Sequence, residues 1–290
     1  MTIQQFIPQS NILPSANFAS FPAASGFPVG WRYRALDVGT HGSTWVSDGT
    51  AWQLDGGVVN LFQNTIPMAI PPSGVITVGT GALTLGTALD NIYPSIYMWF
   101  PAGAWTGSTA GMYYVAMTST TVGTVYSNQY TGGVATIPSS PTIVTTGVGA
   151  YVQTISTGVT VLTYAMAGGV MGATGKITSA YAASTSTSSS GGTALAKQIY
   201  PLMFNGVTSV SALNNGTANL LYGSTSRQNV GLQTSQIEAG NAGYFGQGNT
   251  GAINKTSVNT GVAVTLGFAL QLAAATDWII LQSYSLQLSR

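Results

Sequence analysis

At 290 residues the chain is long enough for one large or two medium domains, and with no cysteine it holds no disulfide and no thiolate metal site. Charged residues are 4% of the chain and the formal net charge is +1, which leaves no basic stripe for nucleic acid and no polybasic patch for an anionic membrane surface. Thr, Ser, Asn, Gln and Gly must then supply the polar surface, a mixture that favours strands and turns over helices and protects little against self-association.

Residues 1–28 read as an extended arm. They carry no charged side chain, and Pro8, Pro14, Pro22 and Pro28 each block helix continuation. Phe6, Ile7, Ile12, Leu13, Phe18, Phe21 and Phe27 are too many apolar groups for a solvated tail; a disordered leader is the competing reading. No basic segment precedes an apolar one, so no secretory signal is evident. Residues 29–62 read as a small β-module with Trp31, Tyr33, Trp45 and Trp52 as its core. Asp48-Gly49 between two short alternating runs predicts a hairpin with a type I′ turn, and Asp55-Gly56 predicts another turn. The module reads as self-contained, so removal of residues 2–25 is expected to leave a folded protein of unchanged melting temperature. Residues 63–74, with Pro67, Pro71 and Pro72, read as a Pro-rich linker.

Residues 75–290 read as one antiparallel β region, with room for two subdomains meeting near residue 148. Runs of strand length at 75–78, 83–89, 112–117, 122–126, 143–146, 152–155, 159–164 and 177–181 lie between Gly- or Pro-rich turns, the pattern of a sandwich or barrel. No charged side chain lies between Asp90 and Lys176. Residues 183–192, rich in Ser and Thr and ending Gly191-Gly192, read as a mobile loop. A weak echo links residues 100–107 with 166–172, and convergent turn chemistry explains it as well as duplication does. Over residues 261–288, Val262, Val264, Leu266, Phe268, Leu270 and Leu272 alternate with smaller residues. After a break at 273–277 the pattern resumes with Trp278, Ile280, Tyr284, Leu286 and Leu288. A period of two predicts a closing pair of strands; a membrane helix would not sort apolar residues onto alternate positions.

Catalytic groupings are sparse. His41, the only histidine, lies near Asp37, Ser43, Ser47 and Asp48, but no Gly-x-Ser-x-Gly elbow is present, and a tight module surfaces such polar turn residues anyway. A lone histidine also argues against a His-based metal site. Glycoside hydrolysis needs two facing carboxylates, and the six available are Asp37, Asp48, Asp55, Asp90, Glu238 and Asp277. Three fall in the module and Asp277 reads as a turn cap, so Asp90 and Glu238 are the unforced pair, with nothing in the sequence to bring them together. The Gly-rich run 240–249 lacks the Gly-Lys-Ser/Thr ending of a phosphate loop. Its Tyr244 and Phe245 are candidates to stack on a host-surface sugar, with burial under a loop the blander account. The chain reads as non-enzymatic, with no cofactor and no metal.

Gly30-Trp31-Arg32-Tyr33 through Trp45-Val46-Ser47-Asp48-Gly49-Thr50-Ala51-Trp52, Phe100-Pro101-Ala102-Gly103-Ala104-Trp105, residues 113–126 and Asp277-Trp278-Ile279-Ile280-Leu281-Gln282-Ser283-Tyr284 carry a resemblance. In these segments the chain resembles bacteriophage virion proteins of the tail-fibre, head-fibre and capsid-decoration type. The resemblance implies an antiparallel jelly-roll-like fold, a homotrimer, and a place on the virion after assembly in the host cytoplasm. Neither a heptad run nor a triple-stranded shaft repeat is present, which points to a short fibre, a knob or a decoration protein. The expected fold is therefore all-β: an extended arm, a small β-module and a larger antiparallel jelly-roll-like sandwich, assembled as a trimer. The expected function is that of a virion structural protein, a short fibre or knob contacting a host glycan or protein. Phe6, Ile12, Leu13, Phe18, Phe21 and Phe27 are the candidate anchors on a portal, tail-adaptor or capsid protein, and neither nucleic acid nor membrane insertion is involved. A capsid decoration or cement protein is the alternative, and a glycan hydrolase the minor one.

Overall fold

The computed structural model describes residues 13–77, 79–144, 149–151, 158–186, 197–205, 208–210, 213–215, 220–244, 252–272 and 274–290. Within them the chain is all-β. The helical elements are two 3-10 turns, Phe18–Ser20 and Ala24–Gly26, and no helix among the described residues is long and apolar enough to cross a membrane. Strands from three sheets enclose two cores.

The first sheet is the N-terminal module, in the order Ser15–Ala16, Arg32–Ala35, Ser43–Ser47, Trp52–Leu54; its first pair is parallel and the others antiparallel. The expected hairpin joins its last two strands, but Asp48 closes the turn instead of occupying its centre. The Asp48 Oδ1 accepts the backbone N–H groups of Thr50 (2.8 Å) and Ala51 (2.7 Å), while Gly49 takes the positive φ of +90°. The bond from Ala51, then those from Thr50, hold this carboxyl below the usual carboxylate range.

The main sheet is organised on the last strand, Ile279–Ser289. One edge of it pairs along its length with Lys176–Thr185. Val58–Asn64 and Met68–Ile70 share its other edge, the first beside Tyr284 to Ser289 and the second beside Ile279 to Leu281. Outward from Lys176–Thr185 follow Leu220–Asn229, Gln236–Tyr244 and Ala252–Thr256; outward from Met68–Ile70 follow Ile96–Phe100, Gly111–Met117, Val122–Gln129, Ala82–Leu85, Gly74–Ile76 and Gly149–Tyr151. Met68–Ile70 lies parallel to Ile96–Phe100, so the sheet is mixed. Alternation lets the last strand serve both cores: Ile279, Leu281, Tyr284, Leu286 and Leu288 belong to the larger, Trp278 and Ile280 to the smaller with Ile96, Met98, Phe100, Val115 and Met117.

A short sheet covers the larger core. Val264–Gln271 is its central strand, flanked by Val159–Met166 and Lys197–Phe204. Leu213–Asn215 and Thr208–Val210 pair with the outer edge of Lys197–Phe204, the first at residues 197–199 and the second at 202–204. Pro201 falls between those two contacts, where neither edge strand needs the N–H that proline lacks. Gly267 is sterically fixed: a Cβ there would lie 2.1 Å from the Leu162 carbonyl oxygen. Gly267→Ala is therefore expected to destabilise the fold by about 1–3 kcal/mol through overpacking, read as a lower urea midpoint at unchanged slope.

Several sequence expectations are corrected. The two closing strands do not pair with each other; they lie in different sheets and meet through side chains, with the Phe268 and Tyr284 rings 6.1 Å apart. Alternation identifies a strand and its buried face but not its neighbour. The stretch 63–74 contains Met68–Ile70, fully buried on both faces, and Val58–Asn64 leaves the module to join the last strand. Residues 183–185 complete the strand Lys176–Thr185, while 187–192 lie outside the described residues, as do 152–155. At Ile143 only a single bridge to Tyr126 forms.

Candidate functional site

Phe18, Phe21 and Phe27 are half-buried against the module: Phe18 sits 4.5 Å from Trp45 between ring centroids, Phe21 4.7 Å from Tyr33, and Phe27 5.6 Å from Trp52. Polar bonds fix the same contact. Trp52 Nε1 donates to the Pro22 carbonyl (2.7 Å), Ser47 Oγ to the Ala24 carbonyl (3.1 Å), and the Phe18 N–H to Asp37 Oδ1 (2.7 Å). The expectation of a self-contained module with its arm free to dock elsewhere is thus corrected. Three strands cannot cover two tryptophans, and the arm adds the fourth, Ser15–Ala16, and completes the core. Leu13 is exposed, and Phe6 and Ile12 lie outside the described residues. Tyr244 ends the strand Gln236–Tyr244, and Phe245 lies outside the described residues.

The charged groups do not converge. His41 is exposed, and its carbonyl accepts Arg34 Nη2 at 2.9 Å. Asp90 accepts the Tyr93 hydroxyl at 2.7 Å. Glu238 is buried elsewhere and accepts Arg227 Nε in a pair with both side chains 2% exposed; Arg227 Nη2 also donates to the Pro201 carbonyl at 2.9 Å, tying the main sheet to the short one. Burial works against the charge on Arg227 and Glu238 offsets it. The second buried pair joins Lys197 to Asp277 at 3.7 Å, with Lys197 Nζ donating to the Ser186 carbonyl and Ser186 Oγ to Asp277 Oδ1 at 2.9 Å. Each carboxylate has its own partners, so Asp90 and Glu238 are not brought together. Among the described residues no three metal-ligating side chains cluster.

What the structure does assemble is a groove on the outer face of the short sheet, with a volume of about 580 Å³. Side chains alternate across this sheet, so Leu266, Phe268 and Leu270 enter the core while Thr265, Gly267 and Ala269 face outward and make a low floor. Tyr200, Leu202 and Phe204 form one wall, and Thr160 and Thr163 the other. The Tyr200 hydroxyl donates to Gln271 Oε1, and its ring lies against Gly158, where a Cβ would come within 3.4 Å. No charged residue lines the groove among the described residues. These residues were not anticipated from the sequence. The available signal was Tyr200, Leu202 and Phe204 at every second position, with Pro201 breaking the impression of a strand.

No family model matches the sequence, and no curated protein matches it.

Proposed function

We propose that the chain is a non-enzymatic structural protein of a bacteriophage virion, a short homotrimeric fibre or knob of jelly-roll-like architecture that contacts the host surface. The observation that carries this reading is where the charges lie. Arg32, Arg34, Asp37, Asp48 and Asp55 sit in the module, and Lys197, Asp277, Arg227 and Glu238 are buried in ion pairs. Only Asp90, Lys176, Lys255 and Arg290 remain for everything after residue 55. A surface of that size with so few charges has little to keep copies apart and is suited to being covered by them. With the arm's aromatic rings engaged in the module, attachment to the particle falls to the composite arm–module surface, where Val29, Trp31 and Leu36 are exposed.

Light scattering on the purified protein is expected to give about three times the 29.7 kDa chain mass. A stable monomer at micromolar concentration overturns the reading. Counting chains per particle separates the fibre from the decoration protein, since tens of copies fit the first and a number scaling with the capsid lattice fits the second.

A further inference from the structure

We infer that the groove on the outer face of the short sheet is a binding site for a neutral saccharide. The occupant follows from what the groove offers and what it withholds. It presents two aromatic rings, Tyr200 and Phe204, on one face of one strand with Leu202 between them, beside three hydroxyl-bearing side chains, Thr160, Thr163 and Thr265. A sugar ring has the matching two-sided character: its C–H face packs on an aromatic ring, and its hydroxyls exchange hydrogen bonds with hydroxyls that both donate and accept. Among the described residues the lining carries no formal charge, so it offers no counter-ion to a sialylated, uronic or phosphorylated glycan.

Other occupants fit less well. The floor is the central strand of its sheet, bonded on both edges by Val159–Met166 and Lys197–Phe204, so an extended peptide finds no open backbone edge to extend. A purely apolar ligand would strand the threonine hydroxyls without water. The volume of about 580 Å³ lies within the roughly 300–1,000 Å³ typical of small-ligand sites. Two features mark the groove as more than a by-product of folding. Phe204 is 42% exposed at its mouth, and Tyr200 is held to Gln271, so its ring is already oriented before any ligand arrives.

The test is a glycan array of neutral and sialylated oligosaccharides, followed by saturation-transfer NMR with the best neutral hit and with maltotriose as a fixed probe. Wild-type protein is expected to bind at least one neutral glycan. Phe204→Ala, which removes an exposed side chain, is expected to weaken that binding at least tenfold without lowering the melting temperature. Tyr200→Phe retains the ring and should bind within a few-fold of wild type, whereas Thr163→Glu should abolish binding. The inference is overturned if no neutral glycan binds, if only charged glycans bind, or if Phe204→Ala binds as well as wild type. It is equally overturned if Phe204→Ala changes the mass seen by light scattering, because the groove would then be a contact between copies. Sugar binding and assembly are read independently, so failure here leaves the proposed trimer standing, and a monomeric protein leaves the sugar site standing.

Discussion

Glu238→Ala is expected to destabilise the protein by about 3–5 kcal/mol, the cost of leaving the Arg227 guanidinium buried without its counter-charge. Both side chains are 2% exposed, and the arginine cannot reach water without dragging its strand out of register with Gln236–Tyr244. The remaining bond from Arg227 to the Pro201 carbonyl does not neutralise the charge. Replacing both partners together, Arg227→Met with Glu238→Leu, is expected to recover most of the loss, because the desolvation of two ions disappears along with their attraction. Urea titrations followed by tryptophan fluorescence on Arg227→Met, Glu238→Leu and the double variant form the cycle. Single variants within 1 kcal/mol of wild type would show that the pair is hydrated in solution.

Removing residues 1–27 is expected to cost about 2–4 kcal/mol in the stability of the module, from three half-buried phenylalanines each contributing roughly half of the 1.5–3 kcal/mol of full burial. Loss of the Pro22 acceptor for Trp52 Nε1 adds to this, as does loss of the parallel strand Ser15–Ala16. Because Trp45 and Trp52 become wet, the fluorescence maximum should move to longer wavelength along with the fall in melting temperature. An unchanged spectrum and melting temperature would restore the self-contained module first expected from the sequence.

Composition alone pointed to an all-β chain, and alternation located Val159–Met166, Val264–Gln271 and most of Ile279–Ser289. Those strands were legible because each buries large apolar groups on one face. Leu220–Asn229 was not, since the side chains it turns inward include Thr225, Arg227 and Asn229, the last two bonded to Glu238 and Thr260 on other strands and loops, and such polar groups leave no hydrophobic period. The Lys197–Asp277 pair was not legible because eighty residues of chain separate two charges that meet only through the ends of different sheets. The groove escaped notice for the opposite reason: its residues face away from the core, and an outward aromatic leaves the same mark in a sequence as an inward one.

The position of the last strand has a consequence for how the protein is made. Among the described residues Val58–Asn64 pairs with Ile279–Ser289 alone, about 220 residues later in the chain, which at bacterial synthesis rates of about 5–20 residues per second is a wait of roughly 10–40 s. Throughout that interval its edge remains open to pairing with other nascent chains, as does one edge of Lys176–Thr185 once that strand has been made, with few charged residues nearby to repel them. Yield in the cell should therefore depend on holding chaperones and slow, cool expression far more than on the stability of the finished fold.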